Sequence, residues 1–176
     1  RALVYFENDE RFVTQPSYSF SIDDPAAYAD AAAFARHNFT TRDTASFFLQ
    51  ALKLYQRLIR FHLNDAQPDA LVDADINRIS FVRMHAVMEN TDELYKQSLE
   101  RITNKYDNLP TAAQAWFKLA QFYVYLAEQY NPLGDTTNRY AYLQAKAICE
   151  KVATQKDSSE GWANCKNLLL EIVRPE

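Results

Sequence analysis

The stretch at residues 110–123, PTAAQAWFKLAQFY, limits the possible folds of this chain more than any other part of its sequence. Trp116, Leu119 and Tyr123 recur at positions i, i+3 and i+7, so they share one face of a helix. Ala120 lies on the same face, and its small side chain lets a neighbouring helix approach closely. The stretch therefore predicts an amphipathic helix whose apolar face packs against other helices.

Few residues in this chain interrupt helices. Its 176 residues include only 2 glycines, Gly134 and Gly161, whereas Ala, Leu, Gln and Glu are frequent, which favours helix over sheet. Hydrophobic periodicity and capping signals predict an all-α fold with about seven helices. They lie at about residues 25–38, 44–64, 68–88, 91–106, 111–130, 137–155 and 158–173.

The first 24 residues differ from the rest of the chain. Residues 1–6 are predicted as either the end of a preceding helix or a strand. After them, Tyr18, Phe20 and Ile22 alternate with serines at period 2, which is typical of extended chain. This segment is either an arm packed on the helices or part of a hairpin. The predicted organisation is an extended N-terminal arm or the end of a helix at residues 1–24, and a helical domain at residues 25–176.

The order W-x2-L-A-x2-Y at residues 116–123 resembles the first helix of a tetratricopeptide (TPR) repeat. Ala145, Cys149 and Val152 resemble the second-helix pattern of such a repeat. The two patterns lie further apart than in an ordinary repeat, so we expect an exposed insert at residues 129–140. The resemblance implies TPR-like antiparallel helix pairs, which act as scaffolds and bind many different partners.

Some TPR domains hold the C-terminal carboxylate of a peptide with Lys and Asn side chains. The matching positions in this repeat are Phe117 and Gln121, so the resemblance does not extend to that carboxylate site. Three aromatic residues near the core face form a candidate interaction surface: Phe122, Tyr125 and Tyr130. Core packing is the alternative role for each of them.

A second resemblance covers most of the chain. Segments of it are similar to the helical region of bacterial alpha-2-macroglobulin-like proteins, and they lie at residues 40–43 (TTRD), 58–65 (LIRFHLND), 70–75 (ALVDAD), 147–151 (AICEK) and 164–168 (NCKNL). This resemblance implies a periplasmic, cell-surface or secreted protein that traps proteases. The Cys-Gly-Glu-Gln thioester of many such proteins is absent from this sequence, so the resemblance implies a scaffold or docking role here.

The two cysteines, Cys149 and Cys165, are a candidate disulfide. They lie on consecutive predicted helices at about equal distances from the turn near Asp157. In an antiparallel hairpin they would sit at the same height, where a bridge requires Cα atoms about 4.4–6.8 Å apart. The alternative is two buried thiols that act as small apolar residues. An envelope location favours the bridge, whereas a cytoplasmic location favours the thiols.

Other patterns argue against catalysis and metal binding. The histidines are not spaced as zinc ligands; they are His37, His62 and His85. One group of aspartates lacks the Gly and final Glu of a calcium loop; its members are Asp65, Asp69, Asp73 and Asp75. With two glycines, no glycine-rich phosphate loop can form. We therefore expect no enzyme activity, no cofactor and no metal.

The net charge of −4 and the lack of a dense basic run argue against nucleic-acid partners. No apolar run approaches the ~20 residues that span a bilayer, so we expect no membrane insertion by this segment. Because the chain opens at Arg1 rather than Met, we expect it to be a piece of a larger protein. The expected partners are a protein or peptide and other domains of the same chain.

The combined hypothesis is a non-enzymatic interaction or scaffold module within a larger envelope protein. The alternative is a free-standing cytoplasmic TPR adaptor that binds peptides.

Overall fold

The computed structural model describes residues 1–7, 17–155 and 158–174. Within these ranges the regular elements are α-helices and one 3₁₀ helix, at Pro25–Tyr28. The α-helices are α1 (Ala2–Phe6), α2 (Ala31–Arg36), α3 (Phe47–His62), α4 (Asp69–His85), α5 (Thr91–Lys105), α6 (Ala112–Glu128), α7 (Ala141–Ala153) and α8 (Glu160–Ile172). The all-α prediction is confirmed for the described residues.

The chain divides into two compact units, Arg1–Ser98 and Leu99–Glu176. The boundary falls inside α5, whereas the sequence predicts a single helical domain after residue 24. No helix in residues 1–7, 17–155 or 158–174 combines the length and apolar character that crossing a bilayer requires.

The N-terminal segment of the first unit begins with a helix. Residues 2–6 form α1, which corresponds to the helix alternative for this segment. The rings of Tyr5 and Phe6 pack on Phe47 of α3, with centroids 5.3 Å and 5.2 Å away. The Tyr55 hydroxyl donates a hydrogen bond of 2.7 Å to Glu7. These contacts attach α1 to α3.

Most of the predicted extended arm, at residues 8–16, lies outside the described residues. In the part that follows, Ile22 forms an isolated parallel bridge with Ala86, and its carbonyl accepts from Val87 at 3.0 Å. This is a single bridge at the end of α4. It fits an arm packed on helices, and residues 17–24 contain no regular strand.

The predicted helix at residues 25–38 is two shorter helices. Asp24 caps the 3₁₀ helix by accepting from the Ala26 amide at 2.8 Å. Asp30 caps α2 by accepting from the amides of Ala32 and Ala33. The chain leaves helical geometry at Ala29, where ψ is 166°. Two caps within a few residues therefore divide an Ala-rich segment that propensity alone would make continuous.

A buried arginine holds this divided segment against α4. Arg78 is 0% exposed, and its guanidinium donates to the carbonyls of Ala27 at 2.6 Å and Ala29 at 3.0 Å. It also donates to Asp75 at 2.6 Å, and it lies over the Phe34 ring at 4.4 Å. The carbonyls that the helix break leaves unpaired thus gain a charged donor.

The C-terminal carbonyls of α2 are bonded by side chains of α3. Gln56 donates to the carbonyls of Phe34 at 2.8 Å and His37 at 2.6 Å. Arg60 donates to the Ala35 carbonyl at 2.5 Å. The last turn of a helix leaves carbonyls without intrahelical partners, and these bonds satisfy them.

The second unit contains the end of α5 and the helices α6, α7 and α8, and the last three share a core. Lys151, near the end of α7, reaches the Trp116 ring near the start of α6 at 3.9 Å, so the two helices run antiparallel. Gly161 in the first turn of α8 lies against the first turn of α6. The buried core residues are Ala113, Ala120, Ala145, Cys149, Val152, Cys165 and Leu168.

Candidate interaction groove

An open groove of about 400 Å³ lies on the second unit, between α5, α6 and α7. Its lining residues are Glu100, Thr103 and Asn104 of α5, Trp116, Leu119 and Tyr123 of α6, and Gln144, Ala147 and Ile148 of α7. On each helix the lining includes residues three and four positions apart, because such residues share one helix face. We call this the α6 groove.

The floor of the α6 groove is the apolar face of the TPR-like pattern. Leu119 is buried, whereas Trp116 and Tyr123 are half-buried and line the open space. The sequence predicts that all three side chains fill the core. This prediction is confirmed for Leu119. Trp116 and Tyr123 also pack against the core of the second unit, and each is half-buried.

Two polar contacts fix the orientation of Trp116. Its indole N–H donates to Asp107 at 3.1 Å, and Lys151 donates to the same carboxylate oxygen at 2.9 Å. The Lys151 ammonium also lies over the Trp116 ring. Hydrogen bonds from Lys151 and then Trp116 hold the pKa of Asp107 below its usual range. The ring is therefore held in place rather than free to rotate.

The two walls of the α6 groove differ in chemistry. The α5 wall carries Glu100 and the exposed amide of Asn104. The α7 wall carries the exposed amide of Gln144 and the apolar side chains of Ala147 and Ile148. Side-chain amides both donate and accept, as a peptide backbone does. The groove thus combines an apolar floor with hydrogen-bonding groups at its edges.

A small residue on α7 helps to leave the groove open. Ala147 is exposed and lines the groove, and its side chain is a single methyl group that occupies little of the open space. No sequence signal pointed to Gln144 or Glu100 as surface residues of a groove, and Ala147 appeared only in the AICEK segment of the second resemblance. Only the TPR-like spacing of the α6 residues indicated this face of the helix.

The candidate surface residues have different environments. Phe122 is 2% exposed, so it packs in the interior and is not accessible to a partner. Its ring lies 6.0 Å from that of Tyr123 and 6.2 Å from that of Tyr125. Tyr125 and Tyr130 are exposed, and their contact with a partner stays a prediction. None of the three lines the α6 groove.

The predicted insert is an exposed loop, as expected. Residues 129–140 connect α6 to α7, and all are exposed except the half-buried Asn138. The loop closes on itself through a 3.1 Å bond from the Asn131 amide to the Asp135 carbonyl. Leu133 at its tip is 97% exposed.

Cys149 and Cys165 meet in the core of the second unit. Both are buried, and they are present as free thiols. A hydrogen bond between them lowers the pKa of Cys149, and the same bond together with burial raises the pKa of Cys165. The helix pairing thus places the two sulfurs side by side, as the hairpin argument requires. The disulfide itself stays a prediction.

The histidines contact acidic or aromatic side chains. His37 lies 2.7 Å from Asp24, and His62 lies 2.6 Å from Asp65. His85 packs its ring at 4.4 Å from that of Phe48.

The other aspartates of this group, Asp69, Asp73 and Asp75, all lie in α4. Asp75 pairs with Arg78, and Asp73 accepts from the Asn77 amide at 3.2 Å. Asp69 lies in the first turn of α4, where the helix dipole favours an acid. In the part of the chain that the structure describes, no three His, Cys, Asp or Glu side chains form a group that could hold a metal ion.

Comparison of the chain with protein-family models, curated proteins and solved structures found no match. The two family resemblances therefore stay predictions.

Proposed function

We propose that this chain is a non-enzymatic protein–protein interaction or scaffold module, and that the α6 groove is its binding surface. One observation carries the proposal: an open groove on a helical framework exposes two aromatic rings, Trp116 and Tyr123, between polar edges. Protein interfaces combine an apolar, aromatic centre with a polar rim in the same way.

The chemistry of the lining favours binding over catalysis. Glu100 is the only charged residue among those that line the groove, and the remaining polar groups are hydroxyls, amides and the Trp116 indole N–H. A catalytic site of a recognised type requires a nucleophile or a base beside a group that orients it. The lining offers no such pair, whereas it offers hydrogen-bonding groups for a peptide backbone.

The framework is rigid enough to present such a surface. Trp116 is fixed by Asp107 and Lys151, and α8 closes the core behind α6 and α7. A preformed surface binds with less loss of side-chain freedom than a mobile one. The antiparallel order of α6 and α7 is also the order that the TPR resemblance implies.

The alpha-2-macroglobulin resemblance extends the proposal to the protein's context. In that context the chain is a helical region of a larger periplasmic, cell-surface or secreted protein, and the groove binds another protein or another domain of the same chain. An oxidising compartment of this kind would permit a bridge between the two buried thiols, Cys149 and Cys165.

The proposal is tested by selecting binders and blocking the groove. Peptides displayed on phage are selected for binding to the whole chain. The affinity of each selected peptide is then measured for the parent protein and for two variants, Ala147→Arg and Ala163→Arg. Both alanines are exposed on helices and both changes add one cation, but only Ala147 lines the groove. We expect Ala147→Arg to weaken binding by at least about tenfold, because its side chain occupies the groove. Equal effects of the two variants would place binding elsewhere and contradict the proposal.

A further inference from the structure

In the part of the chain that the structure describes, the Glu100 carboxylate of the α6 groove has no counter-ion. Glu100 is half-buried, and the structure describes no ion pair and no hydrogen bond to its carboxylate within residues 1–7, 17–155 and 158–174. Its backbone carbonyl accepts from Thr103 at 3.1 Å, so only the side chain lacks a partner.

Two lysines near the groove are paired with other acids. Lys96, one turn earlier on α5, lies 3.7 Å from Glu93. Lys151, beside Trp116, is bound to Asp107. Glu100 is therefore a negative charge at the edge of an apolar groove, where a charge–charge interaction is stronger than in open water.

We propose that the partner is a protein segment that carries a Lys or Arg flanked by large apolar side chains. The apolar side chains pack on Trp116 and Tyr123, the backbone bonds to the amides of Asn104 and Gln144, and the cation pairs with Glu100. This inference rests on the proposed function, since it names the partner chemistry of the same groove.

Charge also argues against the opposite partner. An acidic segment would meet the Glu100 carboxylate and a chain with a net charge of −4. Like charges across an interface weaken binding, and complementary charges speed the encounter. A neutral apolar segment would leave Glu100 partly desolvated without compensation.

The test uses two pools of displayed peptides about 12 residues long, enough to follow a groove of two to three helical turns. Both pools contain the same apolar residues, but one adds Lys and Arg and the other adds Asp and Glu. The affinity of each selected peptide is measured for the parent protein, for Glu100→Gln and for a control variant, Glu171→Gln. Glu171 is exposed on α8 and does not line the groove, so both changes remove one negative charge.

We expect binding peptides to be selected from the basic pool alone. Glu100→Gln should weaken the binding of these peptides by about tenfold at low salt and by less at high salt. The control should change binding by less than about twofold. Selection of peptides from the acidic pool would refute the proposal of a cationic partner. Peptides from the basic pool whose binding is unchanged by Glu100→Gln would refute it as well. If Ala147→Arg still weakens the binding of those peptides, the proposed function stands. If Ala147→Arg weakens the binding of none of the selected peptides, both the proposed function and the cationic partner are refuted.

Discussion

Replacing Gly161 by Ala tests how closely α8 approaches α6. A Cβ atom at position 161 would lie 2.2 Å from the backbone nitrogen of Gln114, 2.3 Å from the carbonyl carbon of Ala113 and 2.7 Å from the Gln114 Cα. Ordinary van der Waals contact begins near 3.4 Å. These atoms belong to the backbone, so they cannot rotate away. The helices would have to separate by on the order of 1 Å in a close-packed core.

The expected cost follows from two opposing effects. Overpacking a core costs about 1–3 kcal/mol, and a clash with backbone belongs at the upper end of that range. Ala is a better helix former than Gly by about 1 kcal/mol. We therefore expect Gly161→Ala to lower the free energy of unfolding of the second unit by about 2 kcal/mol. Helix propensity alone predicts the opposite sign.

Tryptophan fluorescence during urea unfolding measures this change. The chain has 2 tryptophans, Trp116 and Trp162, and both lie in the second unit. A loss of about 2 kcal/mol should lower the urea midpoint by about 1–2 M for a unit of this size.

The matched control is Gly134→Ala in the exposed loop. Its new Cβ would meet only side-chain atoms of Asn131, the nearest at 2.9 Å, and these can move. This variant should stay within about 0.5 kcal/mol of the parent. A Gly161→Ala protein as stable as the parent would refute the close approach of α8 to α6.

Three further predictions address other contacts. Arg78→Met should destabilise the first unit by about 3–5 kcal/mol, because it leaves the Asp75 carboxylate buried without a cation. A denaturant titration followed by circular dichroism measures this loss, and a value below about 1 kcal/mol would contradict the prediction. Because the pKa of Asp107 is lowered in the folded state, its contribution to stability is present above the unfolded pKa and is lost as the pH falls below about 4. Asp107→Asn should therefore reduce the fall in urea midpoint over that pH range, and an unchanged pH profile would contradict the assignment. Protein isolated from its native compartment and denatured without reductant should show no free thiol at Cys149 or Cys165, whereas two free thiols would contradict the envelope proposal.

Much of the helical framework could be predicted from the sequence because it depends on local patterns. The 3.6-residue period of Trp116, Leu119 and Tyr123 predicted α6, whose observed bounds are Ala112–Glu128. Pro132 and Gly134 predicted the loop between α6 and α7, because neither residue favours the helix interior. Such signals act within a few residues and need no knowledge of distant contacts.

The break between the 3₁₀ helix and α2 depends on distant residues and could not be predicted in this way. The Ala-rich segment favours one helix, and Asp30 alone is a weak signal for a new start. The carbonyls of Ala27 and Ala29 are bonded by Arg78, about 50 positions further along the chain. A charged donor on another helix thus stabilises a break that local propensity opposes.

The α6 groove was only partly predictable for a related reason. Periodicity shows which face of a helix is apolar, but it does not show whether the neighbouring helices cover that face. The exposed Ala147 and the half-buried Glu100 both line the groove, and neither residue type is unusual in a helix. Their importance appears only when α5, α6 and α7 are seen together.

The central claim is that the α6 groove binds a protein segment, and the fluorescence of Trp116 tests it most directly. Trp162→Phe leaves Trp116 as the only tryptophan, and Trp116 lines the groove. Adding a selected peptide should shift its emission to shorter wavelength in a saturable way, because binding removes water from the ring. The same titration with Ala147→Arg added should need at least about tenfold more peptide to reach half of the full shift. A bound peptide that leaves the Trp116 emission unchanged, or a titration midpoint that Ala147→Arg does not move, would contradict the claim.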